Sequence, residues 1–112
     1  MKRTIKILAA LLLFQPAAFA HHTGNHGRTV TATVYDEWFH NRTTYCGDTY
    51  IHWNLSAAHP WLPCGTNVRV SHKGRTISVK ITDRCDCQLD LSAGAAHKLG
   101  VPLNGIAVVR IK

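Results

Sequence analysis

Apolar and polar residues alternate along much of this chain, interrupted by one long aromatic loop and one short helical segment. Thr29 to Tyr35 alternates around Val30, Ala32 and Val34 and is rich in β-branched residues, which predicts a strand. Asn67 to Val70 and Arg75 to Ile81 alternate in the same way. The intervening Ser71-His72-Lys73-Gly74 carries a glycine suited to a tight turn, so the two runs predict a hairpin. Ile106 to Ile111 predicts a final strand, and its Ala107, Val108 and Val109 are too apolar for an edge exposed on both faces. Before it, Leu89-Asp90-Leu91 is a short apolar-flanked step. Ser92 is a good N-cap, and Ala93 to Leu99 predicts a short helix closed by Gly100 and Pro102. Asp36 to Trp53 has no clean period. It carries Trp38, Phe39, Tyr45, Tyr50 and Trp53 and is expected as a surface loop with half-buried rings. The order of elements predicts a small mixed barrel with one helix.

The amino end changes the setting of this domain. Lys2, Arg3 and Lys6 precede an apolar run from Ile7 to Phe14, and Ala18-Phe19-Ala20 gives the small-x-small pattern of a cleavage site. Residues 1–20 are therefore expected to be a secretory signal cleaved after Ala20. The run is too short for a membrane span, which needs about 20 apolar residues, and no stable membrane anchor is expected. Residues 21–28 are polar and are expected as a flexible tail, which leaves 29–112 as one domain. Three of the 13 Lys and Arg fall in the signal, so the exported chain carries ten against six acids, a balance of +4. Such a surface favours anionic wall polymers, whereas export argues against nucleic acid as a partner. No phosphate loop, serine elbow or metal-binding helix motif is present, no cofactor is expected, and the protein is expected as a monomer. Asn41-Arg42-Thr43 and Asn54-Leu55-Ser56 fit the glycosylation sequon but are expected to be idle in a chain whose signal looks bacterial.

Cys46, Cys64, Cys85 and Cys87 make an even set in an oxidising compartment, which predicts two disulfides. A bridge across one intervening residue strains the geometry, so Cys85 and Cys87 are each expected to reach back to Cys46 or Cys64. A four-thiolate zinc site is the rival, but the spacing of 85 and 87 is shorter than zinc pairs use, and no metal site is assigned.

Three segments carry a resemblance: ATVYDEWFHNRTTYCGD (Ala32 to Asp48), LSAAHPWLPCGTNVRV (Leu55 to Val70) and VKITDRCDCQLDLSAGAAHKLG (Val79 to Gly100). They resemble the RlpA-like double-psi β-barrel of rare lipoprotein A, related to barwin, expansins and family 45 endoglucanases. The resemblance implies a mainly β fold, a six-stranded double-psi barrel with one short helix, stabilised by disulfides. It also implies a secreted or periplasmic protein acting on peptidoglycan or another wall glycan as a lytic transglycosylase. His59 falls on the histidine of the family's A-A-H motif and Asp83 on the aspartate before arginine. Asp48 falls where the family has a glutamate, one methylene longer. These three are the implied catalytic set. Asp90, in L-D-L-S, matches a groove aspartate of the expansin-like relatives, and Arg84, Tyr35 and Trp38 are expected to contact substrate beside it. The four cysteines look like those of the barwin and expansin branch, where the alternative function is non-catalytic wall binding or loosening. A barwin-like effector or inhibitor acting on a protein is a third class, which no residue specifically favours.

The chemistry sets requirements on these residues. A transglycosylase needs one carboxyl group that protonates the leaving oxygen and then acts as base, while the substrate's own C6 hydroxyl attacks. If Asp83 is that acid, its carboxyl must be raised from about 3.9 by burial or by a neighbouring carboxylate such as Asp48, Asp86 or Asp90. Arg84 should then point away from it. His59, fixed in direction by Pro60, is expected to orient Asp83 or a sugar hydroxyl.

Overall fold

The computed structural model describes residues 27–112; the expected signal over 1–20 and all but the end of the expected tail lie outside the described residues. Six strands close into a barrel: β1 (Arg28–Val34), β2 (Ser56–Ala58), β3 (Asn67–His72), β4 (Arg75–Asp83), β5 (Leu89–Leu91) and β6 (Ala107–Ile111). A short helix, α1 (Ala93–Leu99), lies between β5 and β6. Around the barrel the order is β1-β5-β2-β4-β3-β6, with β1–β5 and β2–β4 parallel and the other neighbours antiparallel. Closure pairs every strand on both sides and removes the exposed edges of an open sheet.

The alternation that predicts the strands also fills the barrel. Val30, Ala32, Val68, Val70, Val79, Ile81, Leu89, Leu91, Val109 and Ile111 all point inward and form one aliphatic core with Ala95, Ala96 and Leu99 of α1. The hairpin β3–β4 turns through two residues, with Lys73 and Gly74 both at positive φ. This mirror-image turn matches the right-handed twist of the strands and makes them longer than the alternation alone suggests. Ser92 caps α1, its hydroxyl oxygen accepting from Ala95 N–H. Gly94 in the first turn lies against the backbone of Trp53 and Asn54, so closely that a Cβ would collide with it. The end of the aromatic loop is thereby pinned to the helix.

Two features depart from the sequence reading. Ser56–Ala58 is a strand although it has no alternation and no β-branched residue; it is buried throughout between β4 and β5. The disulfides are Cys46–Cys64 and Cys85–Cys87, not bridges that each join the 85/87 pair to Cys46 or Cys64. The chain bends through Cys85-Asp86-Cys87 and brings the two Cα atoms to 5.2 Å. Extended backbone would hold them about 6.6 Å apart. The turn of the loop brings the pair within bridging reach despite the single intervening residue. Two bridges with no free cysteine suit a small domain outside the cytoplasm. Among the described residues no helix is long and apolar enough to cross a membrane.

Candidate functional site

The pairing of β2 with β4 changes register between Ala57 and Ala58: Ala57 faces Ile81 but Ala58 faces Asp83. The bulge leaves both Ile81 and Thr82 buried and breaks the alternation of β4 just before Asp83. Bulges commonly re-aim side chains beside functional sites, and this one sets the half-buried Asp83 at the strand end.

Donors surround the Asp83 carboxylate. Its Oδ1 accepts from the backbone N–H of Tyr45 at 2.8 Å and of Arg84 at 2.9 Å, and its Oδ2 accepts from the Tyr35 hydroxyl at 2.8 Å. The Tyr35 ring is 7 % exposed and stacks on Tyr50 with centroids 4.3 Å apart, forming with Ala58 and Cys85 a small second core under the site. Burial pushes the Tyr35 phenol well above its ordinary range, helped by the bond to Asp83 and the charges of Asp83 and Asp90. Burial likewise pushes the Tyr50 phenol up to about 12. Both phenols therefore stay protonated, and Tyr35 is a lasting donor to Asp83. The sequence placed Tyr35 among substrate contacts; its place in the structure is beneath Asp83, as support.

Asp90, on β5, is the second carboxyl of this cluster. Its Oδ1 accepts from Thr33 Oγ1 at 2.8 Å. Burial raises its pKa above the ordinary aspartate value; the Thr33 bond opposes that shift, and the negative charge of Asp83 adds to it. Two carboxyl groups thus share one cluster around Tyr35 in different environments.

None of the other expected site residues bonds through its side chain to Asp83 or Asp90. Asp48 turns to Lys80, Oδ2 lying 3.8 Å from Nζ, and makes no hydrogen bond to Asp83 or His59. His59 is 1 % exposed, and its Nδ1 accepts from the backbone N–H of Trp61 and of Leu62, each at 3.1 Å. This assigns the ring proton to Nε2. Its backbone touches Asp83, with His59 N–H donating to the Asp83 carbonyl at 3.1 Å, but its ring does not bond to the carboxylate. Burial, and then the charges of Arg28 and Arg84, lower the His59 pKa, so the ring is neutral at neutral pH. The Arg84 side chain turns to other partners than the Asp83 carboxylate: Nη1 donates to the His59 carbonyl at 3.2 Å and the guanidinium lies 5.4 Å from the Tyr45 ring centroid. Trp38 is exposed, but the Arg42 guanidinium covers one face at 3.4 Å, so it offers a sugar one open face at most.

Trp61 is the residue that sequence reasoning missed. It is 61 % exposed and meets His59 edge-on at 4.9 Å, beside a cavity of about 310 Å³. The signal was available in H-P-W-L-P, where a tryptophan follows the A-A-H motif directly. Among the described residues no group of three or more His, Cys, Asp or Glu could hold a metal.

A six-stranded closed barrel with this crossing order, one helix and a carboxyl cluster at the β4–β5 end defines an RlpA-like double-psi β-barrel. The chain belongs to that family: the family model described as lytic transglycolase matches residues 31–111. An uncharacterized protein of Synechocystis is 40 % identical over 83 residues, covering 72 % of this chain and 92 % of that one. The endolytic peptidoglycan transglycosylase RlpA of Pseudomonas aeruginosa is 38 % identical over 88 residues, covering 73 % of this chain and 26 % of its own length. This chain therefore spans about a quarter of that transglycosylase. Among solved structures, the Streptomyces papain inhibitor superposes with TM-score 0.67 at 29 % identity, covering 79 % of this chain and 94 % of the inhibitor.

Proposed function

We propose that this protein acts outside the cytoplasm as a peptidoglycan-cleaving transglycosylase, with Asp90 holding the working proton and Asp83 supplying the fixed negative charge. The observation that carries the reading is the pair of carboxyl groups flanking Ala58 of β2, Asp83 on β4 and Asp90 on β5, the second pushed upward by burial. Paired carboxyls whose environments push them apart divide into acid and stabiliser. The sequence reading gave the proton to Asp83, but every partner of its carboxylate is a donor, which suits an unprotonated acceptor.

In the reaction, Asp90 gives its proton to the glycosidic oxygen as the C1–O bond breaks. Asp83 faces the positive charge that develops on the sugar ring. The C6 hydroxyl of the same sugar then bonds to C1, and its proton returns to Asp90, which leaves a 1,6-anhydro end and regenerates the enzyme. Asp48, turned to Lys80, has no part in this scheme, and His59 acts beside the carboxyls rather than on them.

Incubation of the folded, oxidised protein with purified sacculi is expected to release anhydro-muropeptides, detected by mass spectrometry, and Asp90→Asn is expected to abolish them. Sacculi left intact by the wild type reject the reading; co-sedimentation with those intact sacculi would leave a glycan binder instead. A second reading, inhibition of a papain-like protease, is supported by the likeness to the papain inhibitor over nearly all of that chain. A papain assay with saturable inhibition and no sacculus product would establish it.

A further inference from the structure

A cavity of about 310 Å³ that neither Asp83 nor Asp90 lines is bounded by Arg28 and Val30 of β1, His59, Trp61, Cys87 and Gln88. Apart from the Thr29 hydroxyl, which can donate or accept, its polar side chains present donors. The Arg28 guanidinium lies 5.5 Å from the Trp61 ring centroid. His59 presents Nε2–H, because Nδ1 is taken by two backbone donors. Gln88 uses Oε1 to accept from Thr31 N–H at 2.6 Å, which leaves its NH2 group free to donate. Among the described residues the one ion pair is Lys80–Asp48, so no carboxylate neutralises Arg28. Trp61 provides an exposed aromatic wall beside these donors.

A pocket with a cation, further donors, no acidic side chain and one aromatic face is complementary to a sugar ring that bears an anionic group. The ring packs on the indole while guanidinium and amide donors take the carboxylate. The volume is at the small end of ligand sites and suits one sugar residue. The pocket also adjoins the cleft, since His59 N–H donates to the Asp83 carbonyl and Arg84 bridges to the His59 carbonyl. We propose that Arg28, Trp61, His59 and Gln88 form a subsite for a carboxylate-bearing sugar residue, which selects acidic over neutral glycans. This inference rests on the glycan reading above but not on Asp90 chemistry. Arg28 and Trp61 are specificity-determining residues in it.

The test is an NMR titration of the folded, oxidised protein with N-acetylmuramic acid and with N-acetylglucosamine, which share the ring and differ in the carboxylate-bearing substituent. N-acetylmuramic acid is expected to bind about fivefold more tightly, the size of a partly exposed ion pair, and to move the Trp61 indole N–H and Gln88 side-chain signals. Arg28→Gln is expected to bring the two sugars to equal affinity, and Trp61→Ala to weaken both. Asp90→Asn is expected to keep the full preference, so a failed transglycosylase assay and a failed subsite give different results. Should Arg28→Gln fold poorly, the wild type repeats the test: its preference should shrink as salt rises from about 0.05 to 0.5 M. Equal affinity for the two sugars in the wild type, or a preference that survives both Arg28→Gln and high salt, overturns the proposal.

Discussion

The inside of the barrel and the floor of the cleft are two cores with different jobs. The first is entirely aliphatic, drawn from every strand and from α1. The second is Tyr35, Tyr50 and Ala58 packed against Cys85, with the Tyr35 hydroxyl aimed at a carboxylate. Aliphatic side chains have only burial to contribute, so the first core fixes the fold. Tyrosines bury a ring and still donate a hydrogen bond, so the second can hold charges in place at the surface. The difference teaches that damage to the barrel interior should remove fold and function together, whereas damage to the cleft floor should separate them.

The largest loss of stability is expected on the barrel side. Leu89→Ala should cost about 2–5 kcal/mol of stability in denaturant melts, because Leu89 is fully buried and leaves a cavity. Next, replacing Cys46 and Cys64 by serine should cost about 3 kcal/mol, since that bridge closes a loop of 18 residues. The same change at Cys85 and Cys87, which are two residues apart, should cost much less stability and should loosen only the cleft. A comparable loss from both bridges would erase the distinction.

On the cleft side, Tyr35→Phe keeps the ring stack and removes one donor to Asp83. It should cost about 1 kcal/mol in stability while lowering sacculus cleavage several-fold. The smallest effect is the most diagnostic. Because the folded-state carboxyl of Asp90 is raised, the native protein holds its proton to higher pH than the unfolded chain does. Stability from this group is present below the unfolded value of 3.8 and is lost as pH rises through the folded value. Asp90→Asn can still accept from Thr33, so it should melt higher than the wild type at neutral pH, with the difference disappearing toward pH 3.8. A variant less stable than the wild type at neutral pH would contradict the assignment.

The barrel was legible because burial on one face writes itself into the sequence as alternation, as in Val68, Val70, Val79 and Ile81. Ser92 and Gly100 marked the helix ends for equally local reasons. Ser56–Ala58 was not legible, because a strand buried on both faces needs no alternation and small residues fit between β4 and β5. The Cys85–Cys87 bridge was missed because the one-residue spacing was taken to forbid it, and spacing does not show how sharply the loop bends. Asp83, Asp90 and His59 were named through the family motifs, but their division of labour depends on contacts 25 to 57 positions apart in sequence, such as Arg84 to His59 and Asp90 to Thr33. Trp61 and Arg28 come together only when β1 closes beside the His59 turn, and no local pattern announces that meeting.

The most direct test of the paired-carboxyl account is a carbon-13 NMR titration of the Asp90 side-chain carboxyl in the wild type and in Asp83→Asn. The account predicts a wild-type Asp90 that titrates above 3.8 and moves down toward it when the Asp83 charge is removed. An Asp90 that titrates at or below 3.8 in the wild type, or one indifferent to Asp83→Asn, would contradict it.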